Sequence, residues 1–335
     1  MPYGFRPVKL DKGNGKVRTI HVPHPRLKDR LKRLLKIIMS LAIPAGPHIH
    51  AYVRRRNIVT NARKLQAWDP FTKTFITPKY LLKLDVKDFF NSLEDEYVLE
   101  ACEYARIPQR IIDRIERHCF VKFRGRRVLP QGSPTSPFLS NLVMRGIAAR
   151  INGLLKVLND GTMYPIRFSI YCDNLSFTCD SKRVAGIIRP IETIIGDYEL
   201  ELNRKKIEFH APPARKVVCG VQLNDTALAP PKNYWRQLKA EIANAIIDFR
   251  AGYVPKGHRL TDDIRQEIRK QFVTKSPGVI QPVFSTLTAP YLQDPDAIEP
   301  VPAEVWQGKI AFISSIDQGR GQKLQTLFQK WENLQ

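Results

Sequence analysis

The sequence predicts an α+β fold in which short strands carry acids to a common edge and amphipathic helices cover them. Three stretches support that prediction. Tyr80-Leu81-Leu82-Lys83-Leu84-Asp85-Val86-Lys87-Asp88-Phe89-Phe90 opens as a short apolar run ending in a carboxylate, the shape of a buried central strand delivering an acid to its edge. Ile170-Tyr171-Cys172-Asp173-Asn174-Leu175-Ser176-Phe177-Thr178 brackets adjacent polar residues with β-branched and aromatic ones, a hairpin pattern with Asp173 and Asn174 at its tip. From Arg26 through Leu41, apolar Leu27, Leu31, Leu34, Leu35 and Ile38 recur at helical spacing, with Lys28, Arg30, Lys32, Arg33 and Lys36 on the other side.

Between the acid strand and the acid hairpin lies Leu129-Pro130-Gln131-Gly132-Ser133-Pro134-Thr135-Ser136-Pro137, a rigid loop that runs into the helix-like Phe138–Met144. Asp173-Asn174 alone is an ordinary turn dipeptide. Acid strand, Gly-rich loop into helix and acid hairpin, in that order, are a constellation. Two carboxylates brought together from distant strands suit two-metal phosphoryl transfer. Mg²⁺ takes oxygen ligands and keeps room for water and phosphates, so one ion would activate a 3′-hydroxyl and the other would steady the departing pyrophosphate.

The other elements follow in chain order. Val8 to Pro25 alternates around Gly13-Asn14-Gly15 and predicts a β-hairpin whose second strand carries Lys16 and Arg18. Pro44 and Pro47 end the basic helix. His48 and His50 lack Cys or acidic companions, which leaves nucleic-acid contact or plain structure ahead of a metal site. Arg54-Arg55-Arg56 is a candidate for phosphate binding, with a solvated loop as the alternative. Glu94 to Cys119 is helical in pattern and broken at Ile107-Pro108, and Lys122 to Arg127 forms a basic hairpin-like turn. In the loop that follows, Gly132 permits close approach of backbone to a nucleotide, Pro134 and Pro137 stiffen it, and Gln131 offers both donor and acceptor. Helices are predicted over Ser140 to Leu158 and over about Ser181 to Tyr198. Ala229-Pro230-Pro231 marks a boundary, after which Asn233 to Ala245 is an amphipathic basic helix. Its Tyr234, Trp235 and Arg236 suit a duplex minor groove. Lys275 to Pro302 is Pro-rich, has little period, and predicts an irregular loop or insertion.

Charge narrows the partner. The chain has 54 lysines and arginines against 32 aspartates and glutamates, a net +22, and a pI near 9.9. That implies a polyanion, nucleic acid rather than membrane, since no apolar run approaches the roughly 20 residues of a spanning helix. Five cysteines, an odd number without a C-x-x-C pair, predict reduced thiols and a cytoplasmic protein, and Met1 to Phe5 lacks the apolar core of a signal peptide.

On Asp85, on Gln131 through Pro137, and on Tyr171-Cys172-Asp173-Asn174 in the place of a Tyr-x-Asp-Asp box, the chain resembles a bacterial reverse transcriptase of the retron type over nearly its whole length. The resemblance implies a right-hand polymerase: fingers over 1–80, an antiparallel-sheet palm over 81–228 with a fingers insertion near 105–130, and a mostly helical thumb and RNA-recognition region over 229–335. It places two Mg²⁺ ions, with Mn²⁺ as the alternative, on Asp85, Val86, Asp173 and Asn174. Lys16 and Arg18 would meet the incoming triphosphate, and Phe90 would close over the sugar and exclude a 2′-hydroxyl. Gln131 and Gly132 would position template and nucleotide, and Tyr171 would touch the primer terminus or templating region. Lys205 or Lys206 would protonate pyrophosphate, Lys206 being the one carried forward. Arg54, Arg55, Arg56, Asn61, Tyr234, Trp235 and Arg236 would hold nucleic acid. Val305 to Asp317 resembles the closing thumb helix.

The implied partners are a structured non-coding RNA and its RNA/DNA duplex, deoxynucleoside triphosphates, an effector protein in phage defence, and a host RNase H that removes template. Three positions depart from the family pattern: Asn174 replaces the second aspartate of the box, Asn61-Ala62 lacks its following histidine, and Cys219 stands in a threonine position. Asn174 forfeits a formal charge, which would hold a second metal less tightly. Two other readings remain, a non-catalytic RNA-binding scaffold on a polymerase fold and a bacterial reverse transcriptase outside the retrons.

Overall fold

The chain begins with a ribbon of β1 (Phe5–Asp11) and β2 (Val17–Pro23), antiparallel with Val8 opposite Ile20. The structure, a computed structural model, describes residues 4–11, 17–225, 227–250 and 303–333. It falls into two compact units, Met1–Ala227 and Leu228–Gln335. The predicted turn at Gly13-Asn14-Gly15, Lys16 and the Pro-rich stretch from Lys275 to Pro302 lie outside the described residues.

Helix α1 (Pro25–Ser40) follows, with Pro25 in its first turn and Leu27, Leu31, Leu34 and Ile38 buried along one stripe, as the spacing predicts. Each such leucine or isoleucine taken out of water stabilises the fold by about 1.5–3 kcal/mol. The short α2 (Ile58–Lys64) starts with a reciprocal cap: the Asn57 side chain accepts from the Val59 and Thr60 amides while Thr60 Oγ1 accepts from the Asn57 amide. A small ribbon, β3 (Ala67–Asp69) with β4 (Thr74–Ile76), leads to β5 (Tyr80–Asp85).

Three helices come next: the single turn α3 (Phe89–Ser92), α4 (Asp95–Tyr104) and α5 (Gln109–His118), the last two separated at Ile107-Pro108 as expected. The basic ribbon β6 (Val121–Phe123) and β7 (Arg126–Val128) precedes α6 (Ser136–Asn159). The expected helix from Ser140 therefore starts four residues earlier, at the end of the Gln131 loop, with Pro137 in its first turn. Strands β8 (Arg167–Tyr171) and β9 (Asn174–Cys179) form the predicted hairpin. The expected helix after Ser181 is a 3₁₀ segment, Lys182–Ile187, that runs into α7 (Ile188–Gly196). A second 3₁₀ turn, Arg204–Lys206, precedes β10 (Glu208–His210), and β11 (Val217–Val218) pairs with β12 (Val221–Gln222). The β11–β12 turn is Cys219-Gly220, both at positive φ (47° and 76°), which glycine meets without strain and cysteine does not.

The central sheet has the order β10-β5-β9-β8, with every pairing antiparallel. Its strands share one apolar core with α1, α4, α5, α6 and α7, centred on residues such as Leu82, Leu84, Phe168, Ile170, Leu175 and Phe177.

The second unit contains α8 (Lys232–Arg250), α9 (Ala303–Ile316) and α10 (Gln318–Glu332). Leu238, Ile242, Trp306, Ile310, Ile313, Leu324 and Phe328 form its core. Gly321 lets α10 approach α9 closely, because a Cβ there would stand 2.6 Å from the Ser314 Cα.

Candidate active site

Strand register brings the predicted acids together. β5 runs antiparallel to β9 with Asp85 opposite Asn174, and Tyr171 on β8 is opposite Asn174 on the other side. The Val86 amide donates to the Asp173 carbonyl at 2.9 Å, and the Asn203 amide donates to the Asp85 carbonyl at 2.7 Å. Asp85 thus sits at the end of a strand tied on both sides, 7% exposed. The hairpin tip itself is Cys172-Asp173, with Asn174 already the first residue of β9, one position along from the expected tip. Cys172 takes φ +60°, a left-handed conformation that costs a non-glycine residue about 1–3 kcal/mol. That turn aims Asp173 back toward Asp85.

Side chains complete the cluster. Lys206 Nζ reaches both carboxylate oxygens of Asp85, at 2.9 and 3.0 Å, while Lys205 is exposed and makes no such contact. Asn174 Nδ2 donates to Asp173 Oδ1 at 2.9 Å. Burial is the main cause that raises the Asp173 carboxyl above its usual range; the Asp85 charge adds to this, and a backbone hydrogen bond and Lys206 oppose it. The donors are hard oxygens, those of two carboxylates and the Asn174 amide, and they fit a divalent cation of the Mg²⁺ or Mn²⁺ kind. Among the described residues no group of three or more His, Cys, Asp and Glu side chains is placed to hold a metal. Other ligands would have to come from Asn174, from backbone such as that of Val86, from water and from substrate phosphates.

The Gln131 loop is held against β2. The His21 amide donates to the Gln131 carbonyl at 2.7 Å, and Ser136 Oγ donates to the Pro130 carbonyl at 2.8 Å. Gly132 has φ +108°, and a Cβ there would stand 3.1 Å from the His21 carbonyl oxygen. The glycine is thus required by its own backbone and by the β2 strand, a closer constraint than the approach of a nucleotide predicted for it. Arg18 lies exposed on β2, opposite Leu10.

Asp88 turns the chain at φ +45° into the one-turn α3, so Phe89 is buried and Phe90 half-buried, the rings 5.3 Å apart. Tyr171 is half-buried at the end of β8, and burial raises its hydroxyl pKa. Sequence reasoning missed Tyr52, whose hydroxyl donates to Cys172 Sγ at 3.5 Å under the hairpin tip. No periodicity marks it, since it sits in a loop at φ +58°.

Several residues expected to hold nucleic acid are placed otherwise. Arg54 and Arg55 are exposed, but Arg56 turns inward and its Nη1 donates to the carbonyls of Ile49, at 2.6 Å, and of Gly46. Asn61 is 1% exposed, with its Nδ2 on Cys219 Sγ at 3.8 Å, and cannot reach a ligand from there. Tyr234 and Trp235 pack within their own helical unit, Tyr234 edge-on to Phe312 at 5.5 Å and Trp235 beneath the Arg320 guanidinium at 5.7 Å. Only Arg236 of that trio is exposed. Arg56 is drawn inward because buried carbonyls need a donor, and Tyr234 and Trp235 because their rings join an apolar core. His48 and His50 are structural, His48 stacked on Phe168 at 3.9 Å and His50 Nδ1 paired with Thr60 Oγ1 at 2.9 Å. All five cysteines are free, and no helix of the described residues is long and apolar enough to cross a membrane.

The sequence model described as reverse transcriptase (RNA-dependent DNA polymerase) matches residues 10–238. The retron Ec83 reverse transcriptase of Escherichia coli is 27% identical over 263 residues, 74% of this chain and 76% of that protein. The retron Mx65 reverse transcriptase of Myxococcus xanthus is 29% identical over 232 residues, 65% of this chain and 50% of that one, so the match spans about half its length. The retron Ec86 reverse transcriptase of Escherichia coli is 25% identical over 231 residues, 68% of this chain and 65% of that one. Among solved structures, telomerase from Candida albicans in complex with a fragment of telomeric RNA aligns with a TM-score of 0.49 at 10% identity, covering 99% of this chain and 61% of that one.

Proposed function

Because the chain belongs to the reverse transcriptase (RNA-dependent DNA polymerase) family, we propose that it copies a cognate structured non-coding RNA into DNA at the Asp85–Asp173 edge of its central sheet. The observation that carries this reading is the antiparallel pairing of β5 with β9, which sets Asp85 beside the hairpin tip that bears Asp173.

In this reading Asp85, Val86, Asp173 and Asn174 hold two divalent cations, Mg²⁺ or Mn²⁺, whose chemistry is to lower the pKa of the attacking 3′-hydroxyl and to neutralise charge on the phosphates. Asp85 and Asp173 supply the negative charge, and Asn174 orients Asp173 through its amide. Lys206, which rests on Asp85, would give a proton to the departing pyrophosphate. Phe90 closes over the sugar. Gln131 and Gly132, pinned to β2, position the base pair, and Lys16 and Arg18 meet the triphosphate. Tyr171 touches the primer end. Arg54, Arg55 and Arg236, which stay exposed, bind backbone phosphate. Residues 1–80 serve as fingers, 81–228 as palm and 229–335 as thumb and RNA-recognition region.

We extend this reading to a setting in which the RNA is encoded beside the protein, an effector protein answers phage, and a host RNase H trims the template in the cytoplasm. Purification from a host that carries the native flanking DNA tests this. The expected product is a DNA joined covalently to RNA, absent from Asp173→Ala. RNA alone, unchanged by that substitution, would overturn the reading in favour of an RNA-binding scaffold, the alternative that Asn174 supports.

A further inference from the structure

Helices α1 and α5 pack together, and both carry exposed arginines. α1 buries Leu27, Leu31, Leu34 and Ile38, and α5 buries Ile111, Ile112 and Ile115. At 100° per residue, Arg30 flanks the buried stripe of α1, while Arg110, Arg114 and Arg117 form one row on the solvent side of α5, about 140° round from its buried isoleucines. Arg30 from α1 and Arg114 and Arg117 from α5 all lie close enough to act on His118, the half-buried last residue of α5. Burial, and then the charges of Arg30, Arg117 and Arg114, hold its imidazole below the usual value. All four arginines are exposed, and none is ion-paired among the described residues. The nearby acids are engaged elsewhere: Asp113 accepts from Gln109 at 2.9 Å, and Glu116 Oε1 lies 3.7 Å from Arg127.

The fold gains nothing from this crowding. Like charges at i,i+3 and i,i+4, as in Arg110, Arg114 and Arg117, each cost a helix about 0.2–0.5 kcal/mol, where a glutamate would stabilise it. An external polyanion removes that penalty. The guanidinium fork matches phosphate oxygens two at a time, and the row climbs the helix in steps of about 6 and 4.5 Å. No aromatic side chain stands in the row, so it offers nothing on which unstacked bases could sit. We propose that the Arg30, Arg110, Arg114 and Arg117 cluster docks the phosphate backbone of a nucleic-acid duplex, on a surface whose residues take no part in the Asp85–Asp173 site.

This rests on the reading that the chain works on nucleic acid, and the test separates the two. Binding of a blunt RNA duplex and of the matching DNA duplex is followed against salt for the wild type, for Arg30→Gln/Arg114→Gln/Arg117→Gln, and for Lys28→Gln/Lys32→Gln/Lys36→Gln on the other flank of α1. The two triple variants lose equal charge. The arginine variant is expected to bind with a slope of log K against log salt shallower by about 3, roughly 0.9 for each phosphate that is no longer neutralised, with the lysine variant near wild type. Arg114→Gln alone, shallower by about 0.9, serves if the triple variant unfolds. A greater loss for RNA than for DNA identifies an RNA stem as the occupant, and an equal loss identifies either duplex. Equal loss in both triple variants, or in neither, overturns the proposal, as does poly-L-glutamate binding as tightly as the duplexes with the same arginine dependence. Incorporation on a short primer–template is measured alongside. Its absence from the wild type with the arginine dependence intact would remove the polymerase reading and leave the docking surface standing.

Discussion

Replacing Asn174 by aspartate probes the metal edge most sharply. In the structure the Asn174 amide donates to Asp173 Oδ1 at 2.9 Å, next to a carboxyl whose pKa is already raised by burial and by Asp85. Asn174→Asp removes that donor, worth about 1.5–3 kcal/mol when the acceptor is charged, and puts a third carboxylate in its place. Repulsion at about 4 Å adds up to roughly 4 kcal/mol at an effective dielectric of 20, less after the side chains relax. Metal-free protein should therefore lose about 3 kcal/mol, which for a unit of this size lowers Tm by about 6–12 °C. A divalent cation reverses the sign, since the added charge tightens its binding. A tenfold tighter Kd returns about 1.4 kcal/mol at saturation. The assay is thermal unfolding of both proteins in chelator and across Mg²⁺ and Mn²⁺ titrations, with nucleotide incorporation at the same concentrations. Equal Tm in chelator together with superimposable metal titrations would refute the reasoning.

Other outcomes follow from the same contacts. Gly132→Ala puts a side chain at φ +108° with its Cβ 3.1 Å from the His21 carbonyl; it should cost about 1–3 kcal/mol and raise KM for nucleotide, read by thermal unfolding and steady-state kinetics. Lys206→Met should lower kcat and tighten metal binding to Asp85, measured by metal titration in the absence of nucleotide, while Lys205→Met leaves both near wild type. Stability should also fall in mild acid through His50. Burial first, then Arg56, Lys64 and His48, lower its pKa from 6.5 to about 4. A folded-state pKa below the unfolded value gives stability that is complete above pH 6.5 and is lost as pH falls toward 4, by about 3 kcal/mol in all. Denaturant unfolding across that range should show the slope, and His50→Gln should flatten it.

Much of the palm was legible because its signals are local. Alternation and turn chemistry give β5 and the β8–β9 hairpin, and helical spacing gives the buried stripe of α1 except for Leu35, which is only half-buried. What was hidden depends on neighbours distant in sequence. Arg56 reads as one of three equivalent arginines until the Gly46 and Ile49 carbonyls need a donor, and Asn61 reads as polar surface until Cys219 covers it. Tyr234 and Trp235 sit on a basic helix, yet the cores supplied by α9 and α10 claim both rings. The shift of the hairpin tip by one residue, and the turn of Phe89 and Phe90 into a helix, hang on the positive φ of Cys172 and Asp88, which cysteine rarely adopts and which aspartate, though enriched there, adopts at few of its positions. Lys206 is separated from Lys205 only by the 3₁₀ turn that carries it to Asp85.

The central claim is that Asp85 and Asp173 make this chain a polymerase on RNA. It is tested most directly by incorporation of labelled deoxynucleotide on a defined RNA template with a DNA primer, comparing wild type with Asp173→Ala. The account predicts template-directed, divalent-cation-dependent extension by the wild type, and extension at background by a variant that remains folded and still binds the template. Folded wild-type protein that binds the template but extends nothing in either Mg²⁺ or Mn²⁺ would contradict it.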